Sequence, residues 1–288
     1  MPFSRTLSGL NQRVPAWSYF TGSAVFHYLG PAFAVLLFAR IEPLGVAGLR
    51  IWSAGLVFAL WRRPWRVFAG LDRSGRRTVL AWALVLAVMN SCFYLAIARL
   101  PLGTVAAIEF LPVIVLASLG ARTPRNLTAL ACAVAGVAAL SDVRLAGEPL
   151  GFVFAFANAG LFAAYIALAH RAASRLPDGI SGLAAAMGAA SLFVLPLSVV
   201  SALPALTEPI ALAAGIGVGI SSSVIPYVCD QLAMARMRRS TYALMVALLP
   251  ATATVIGVLA LRQIPTPLEV GGVALVVLAI AVHRERTA

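Results

Sequence analysis

The chain has 288 residues, 61% of them hydrophobic and only 11% charged, with a mean hydropathy of +0.94. Its 22 basic residues, all arginine, outnumber 10 acidic ones and give a formal charge of +12, yet no polar stretch is long enough to form the soluble domain that nucleic-acid binding would need. This composition excludes an ordinary soluble enzyme and points to an all-α membrane protein, because a lipid-embedded backbone must satisfy its own hydrogen bonds.

A helix rising 1.5 Å per residue needs ~20 residues to cross ~30 Å of hydrocarbon. Ten apolar stretches of roughly that length follow one another and predict ten transmembrane helices: Pro15–Phe38, Pro43–Trp61, Thr78–Ala98, Leu102–Gly120, Pro124–Ser141, Pro149–His170, Asp178–Ser201, Glu208–Ala235, Thr241–Leu261 and Pro267–Val282. Pro43, Pro124, Pro149 and Pro267 stand at span starts, where a missing N–H costs least. Ala32-Phe33-Ala34 mimics a signal-peptidase site, but the apolar run is too long for a signal peptide, so the first span is read as a retained helix. Cys92, Cys132 and Cys229 fall inside spans, which argues against disulfides, and no His or Cys spacing favours a metal; no cofactor is expected.

With the N-terminus placed in the cytoplasm, alternation puts seventeen arginines inside, six of them in the loop between Arg62 and Arg77. Only Arg40, Arg99, Arg144 and Arg262 fall outside. That bias predicts both termini in the cytoplasm of a multi-pass protein of the bacterial inner membrane, with arginines against anionic headgroups.

The chain repeats itself. Cys92-Phe-Tyr-Leu-Ala-Ile-Ala-Arg99 and Thr104 align with Cys229-Asp-Gln-Leu-Ala-Met-Ala-Arg236 and Thr241 at a constant offset, and Pro112 and Pro250 follow one residue out of register. Near the second span, Pro43-Leu-Gly-Val-Ala-Gly-Leu matches Pro177-Asp-Gly-Ile-Ser-Gly-Leu. Five spans per half is an odd number, so the second half enters the membrane from the opposite side. Residues 1–142 and 143–288 are therefore expected to form two inverted five-helix repeats, an arrangement that carriers use for alternating access around a midplane site.

Met89-Asn-Ser-Cys-Phe-Tyr-Leu-Ala-Ile-Ala-Arg-Leu-Pro-Leu-Gly-Thr-Val-Ala-Ala-Ile-Glu109-Phe-Leu-Pro112 resembles the third-to-fourth-span signature of EamA-type carriers in the drug/metabolite transporter superfamily. Gly48-Leu-Arg50 resembles their second-span arginine motif, and Pro226-Tyr, Ala233-x-x-Arg236 and Leu249-Pro250 resemble the second-half pattern. The resemblance covers Ala24 to Val282 and is nearest to the exporters of threonine and homoserine and of aromatic amino acids, the YddG-like group. It implies a ten-helix carrier exporting amino acids or related metabolites. The ninth span departs from the pattern, with Val246-Ala-Leu-Leu-Pro250 carrying no acidic residue before the proline.

A charge at bilayer depth costs roughly 2.5–3.5 kcal/mol on insertion scales, so each buried one needs a reason. Arg50 and Glu109 lie about seven residues in from the same end of their spans, which predicts either a structural Arg50–Glu109 ion pair or a Glu109 that faces a cavity and binds an ammonium or a proton. Asp230 shares a face with Tyr227 and Gln231, either lining a cavity or reaching Arg236 or Arg238 at the interface. His27, just before Gly30-Pro31, together with Asn90, Tyr94, Asn158 and Tyr165, adds polar groups on other spans. The expected substrate site therefore comprises His27, Asn90, Tyr94, Glu109, Asn158, Tyr227, Asp230 and Gln231. The fifth and tenth spans carry small-residue stripes instead (Ala131, Ala135, Ala139; Gly271, Gly272) and are expected as scaffold or a dimer surface, leaving monomer and homodimer both open. Gly215-Ile-Gly-Val-Gly219 lacks the strand and spacing of a dinucleotide site, and Ser221-Ser-Ser223 lacks a hydrolase context.

Without a Walker A sequence, the chain encodes no ATP drive of its own. A secondary carrier for amino acids or similar metabolites, proton-coupled or facilitated, is the leading reading. A multidrug or other metabolite carrier of the same fold is the alternative. An intramembrane enzyme would need paired acids or a nucleophile and base at one depth, which Glu109 and Asp230 do not supply.

Overall fold

The computed structural model describes residues 15–112, 115, 123–142, 148–173, 179–234, 236–237, 245 and 248–282, and the regular elements among them are all helical. In chain order they are α1 (Ala16–Leu37), α2 (Pro43–Arg62), a short α3 (Pro64–Ala69), α4 (Arg73–Ile97), α5 (Leu102–Glu109), α6 (Pro124–Asp142), α7 (Pro149–Ala173), α8 (Gly179–Phe193), α9 (Leu195–Thr207), α10 (Pro209–Gly219), a π-helical turn (Ile220–Val224), α11 (Ile225–Met234), α12 (Leu249–Leu261) and α13 (Pro267–Val282). The prolines expected at span starts do begin α2, α6, α7 and α13, and Pro64 and Pro209 do the same for α3 and α10. Elsewhere side chains cap: the Gly75 N–H donates to Asp72 at 2.7 Å at the start of α4. At α13 the Thr266 N–H donates to Glu269 (2.8 Å) while the Glu269 N–H donates to Thr266 (3.2 Å), a reciprocal capping box.

Among the described residues five helical segments are long and apolar enough to cross a membrane: Trp17–Leu37, Pro43–Arg62, Arg73–Ile97, Pro149–Ala169 and Pro209–Asp230. A bent pair, Ile180–Phe193 with Leu195–Thr207, makes a sixth, and α6, α12 and α13 are shorter apolar helices. Three local features differ from expectation. The seventh stretch is not one straight span ending at Ser201 but two helices bent by 78°. The cause is Pro196, which has no N–H for the Leu192 carbonyl and crowds it sterically. The third helix starts at Arg73, so Arg73, Arg76 and Arg77 ride on its first turns, and the arginine-rich connection before it contains α3. Most of the second half of the fourth stretch and of the start of the ninth lies outside the described residues.

Packing runs mainly between the two halves of the chain. α1 lies on α11 and α12, α2 on α8, α9 and α10, α4 on α7 and α8, α5 on α7 and α12, and α6 on α13. Lipid is as apolar as any side chain, so close backbone approach rather than hydrophobicity holds such pairs together. Glycines supply it: Gly45 and Gly48 of α2 meet Ser201 and Ser198 of α9, and Gly136 of α6 crosses Gly272 of α13 backbone to backbone. The packed edge of α6 is therefore Ala133, Gly136 and Leu140; Ala131 and Ala135 of the expected stripe face outward, as does Gly271.

The ends of the bundle are tied across the halves. At one end Arg40 pairs with Glu208, the Ser201 hydroxyl donates to Glu42 at 2.6 Å, and the Leu102 N–H donates to Gln263 at 3.1 Å. There the apolar core is continuous, from Leu37 and Val46 through Leu102 and Phe152 to Val276. Arg99, also at that end, lies 5.4 Å over Phe154, the first turns of α7. At the other end Arg236 lies 4.9 Å over Tyr19 in the first turn of α1. Among the described residues the core at this second end divides into separate clusters.

Candidate functional site

The polar centre of the bundle is built around a proline. In a regular α-helix the N–H of residue 226 would bond the carbonyl of Ser222, but Pro226 has no N–H and its ring clashes with that carbonyl. The chain widens into the π-helical turn Ile220–Val224, closed by the Ile225 N–H on the Ile220 carbonyl, and the Ser222 carbonyl is released from the ladder. Arg50 of α2 takes it, donating from Nη2 at 3.0 Å and from Nε to the Ser223 hydroxyl at 2.8 Å. Close packing makes this reach possible. A side chain at Gly219 would overlap the Ser53 hydroxyl and the Arg50 backbone, and one at Gly30 would overlap Ser222.

The guanidinium also lies 5.5 Å over the ring of Tyr94 on α4. Arg50, Tyr94, Ser222 and Ser223 are all buried. The expected direct Arg50–Glu109 ion pair is not formed. Arg50 directs two of its donors to the π turn, 172 and 173 residues away in sequence, and Glu109 instead accepts from the Asn158 side-chain amide at 3.2 Å. The two charges remain near enough to act on one another and on Tyr227, which also feels Asp230.

Tyr28, Tyr94, Asn158 and Glu109 converge from α1, α4, α7 and α5 with little exposure, 6% for Glu109 and none for the other three. Among the described residues the Tyr28 and Tyr94 hydroxyls and the Asn158 side-chain carbonyl have no hydrogen-bond partner. Buried polar atoms are seldom left unpaired, so each needs an explanation. His27, edge-on to Tyr28 with ring centroids 5.1 Å apart, is partly buried and within electrostatic reach of Arg50. Asn90 is drawn off the cluster, because its amide donates to the Leu86 carbonyl of its own helix at 2.8 Å. Asp230 is partly buried and has a partner; the Gln231 side chain lies outside the described residues.

Tyr28 was not among the residues singled out from sequence, and the serine run was noted there only as lacking a hydrolase context. Pro226, four residues after Ser222, was the available signal: it marks a freed carbonyl at bilayer depth. Ser221 alone of the serine run bonds only within its helix, to Val218 at 3.2 Å. Among the described residues there is no group of three His, Cys, Asp or Glu side chains that could hold a metal.

Membrane-length apolar helices packed around a buried, partly unsatisfied polar cluster define a polytopic membrane protein. Residues 149–283 match the EamA-like transporter family. The threonine/homoserine exporter RhtA of Escherichia coli (strain K12) is 28% identical over 247 residues, covering 83% of this chain and 81% of the relative. RhtA of Salmonella typhimurium (strain LT2) is 28% identical over 248 residues, covering 84% and 81%. One solved crystal structure shares the fold with a TM-score of 0.57 at 21% identity, covering 92% of this chain and 97% of that one. The second half of the chain thus resembles the EamA-like transporter family, and the similarity to the two exporters extends over most of its length.

Proposed function

We propose that the protein is a secondary transporter exporting amino acids or closely related small metabolites across the bacterial inner membrane, with both termini cytoplasmic. It works by alternating access between two inverted five-helix repeats, residues 1–142 and 143–288. The observation that carries this reading is the polar cluster itself, where α1, α2, α4, α5, α7 and the π turn bring fixed charges and unpartnered polar atoms together in the hydrocarbon.

The repeat reading draws support from packing. Exchanging spans one to five with six to ten maps the α1–α11 neighbours onto α7–α4, and α1–α12 onto α7–α5. The α6–α13 pair maps onto itself through Gly136 and Gly272. Arg99 over Phe154 and Arg236 over Tyr19 are likewise repeat-related contacts at opposite ends. Substrate class is carried over from the relatives named for threonine and homoserine export.

The test is counterflow. Proteoliposomes preloaded with unlabelled threonine or homoserine should accumulate the labelled compound chemically unchanged, and repeating the run with an imposed pH gradient reads out proton coupling. An absence of counterflow across the proteinogenic amino acids, or chemical conversion of the tracer, would overturn the reading.

A further inference from the structure

We propose that the site recognises its substrate as a zwitterion: the Arg50 guanidinium, pre-positioned by the π turn, takes the α-carboxylate, while Glu109 and Asn158 take the α-ammonium. This assignment rests on the carrier reading and gives each end of the substrate its own residues.

Three features of the cluster point there. The first is that Arg50 is held but not used up. A guanidinium has five N–H donors; Nε and one Nη2 hydrogen go to Ser223 and Ser222, and among the described residues the other three have no partner. The π turn thus fixes the fork in orientation while leaving its far edge available, the edge that suits a carboxylate.

The second is that two opposite charges share a buried site without pairing. An unpaired charge in such surroundings calls for a counter-charge. Arg50 and Glu109 lie within electrostatic reach of one another without forming an ion pair, and a molecule bearing both signs on substituents of one carbon would neutralise both at once. A plain amine or a plain carboxylic acid would leave one of them uncompensated.

The third is the free hydrogen-bonding capacity that the cluster offers to each end of such a molecule. Beside Arg50 the free groups can donate: the remaining guanidinium N–H groups and the hydroxyl of Tyr94, whose ring lies under the guanidinium. Around Glu109 acceptors are free, its second carboxylate oxygen, unpaired among the described residues, and the orphaned Asn158 carbonyl, together with the Tyr28 hydroxyl, which can accept as well as donate. Three ammonium N–H donors fit the second set, and two carboxylate oxygens fit the first.

The experiment uses three probes on the purified full-length carrier, in detergent for binding and in liposomes for counterflow: threonine, threoninamide (which lacks the carboxylate) and β-hydroxybutyrate (which lacks the amine). The wild type should prefer threonine over each analogue by roughly 10–100-fold, the range expected for losing hydrogen bonds to a charged group. Arg50→Gln should weaken threonine while leaving threoninamide nearly unchanged, so that this preference collapses towards one. Glu109→Gln should collapse the preference over β-hydroxybutyrate instead. Tyr94→Phe keeps the ring under the guanidinium and should lower only the preference over threoninamide, which keeps the test open if Arg50→Gln does not fold.

A proportional loss of both threonine and threoninamide in Arg50→Gln would make Arg50 a scaffold and overturn the proposal. An undiminished preference over threoninamide in Tyr94→Phe would also count against it. Wild-type counterflow of amino acids with no preference over the analogues overturns this assignment alone, whereas no amino-acid binding or counterflow overturns the carrier reading with it.

Discussion

Ser223→Ala is the sharpest probe of how Arg50 is held. Ser223 is 1% exposed, and its hydroxyl accepts from Arg50 Nε at 2.8 Å. Removing it leaves a buried guanidinium N–H unsatisfied, and hydrogen bonds to charged groups contribute about 1.5–3 kcal/mol. With an unfolding entropy of ~2.1 cal/mol/K per residue, the 288-residue chain should lose roughly 2–5 °C in thermal midpoint. The assay is thermal unfolding of purified protein in mild detergent, with Ser221→Ala alongside as the control. Ser221 bonds only the Val218 carbonyl of its own helix and should shift the midpoint by less than about 1 °C. The cost of Ser223→Ala should also largely vanish in an Arg50→Gln background, because the interaction belongs to the pair. Equal midpoints for Ser221→Ala and Ser223→Ala, or a full Ser223→Ala cost without Arg50, would refute the anchoring of Arg50 by the π turn.

Two further outcomes are expected from the same measurement. Gly219→Ala places a methyl against the Ser53 hydroxyl and the Arg50 backbone and should cost about 1–3 kcal/mol, whereas Gly217→Ala enters open space on the same helix and should be neutral or gain up to ~1 kcal/mol. Glu269→Ala removes half of the capping box at the start of α13 and should cost about 1 kcal/mol, with Glu269→Gln retaining most of the stability because an amide oxygen can still accept from the Thr266 N–H.

Much of the architecture was legible residue by residue, because a helix in lipid satisfies its own backbone and needs no partner to be recognised. The apolar runs located α1, α2, α7 and α13 to within a few residues, and Pro43, Pro124, Pro149 and Pro267 marked the starts of α2, α6, α7 and α13. Cost per charge in hydrocarbon singled out Arg50, Glu109 and Asp230 as groups with a reason to be there. Two local signals were underread: Pro196, which bends the seventh stretch by 78°, and Pro226, which opens the π turn. Each is visible as a missing N–H four residues after a carbonyl.

Which polar groups meet is a different matter. Equal depth made Arg50 and Glu109 natural partners, yet depth specifies only one coordinate, and helix rotation and crossing decide the rest. Close approach at Gly30 and Gly219 turned Ser222 and Ser223 towards Arg50, and left Glu109 to Asn158. Asn90, equally polar and equally buried, bonded back to its own helix instead. Each helix was thus encoded by its own side chains acting against lipid. The pairing of charges across 173 residues came only from the packing of one half of the chain on the other, where a few ångströms of backbone approach select one acceptor over another.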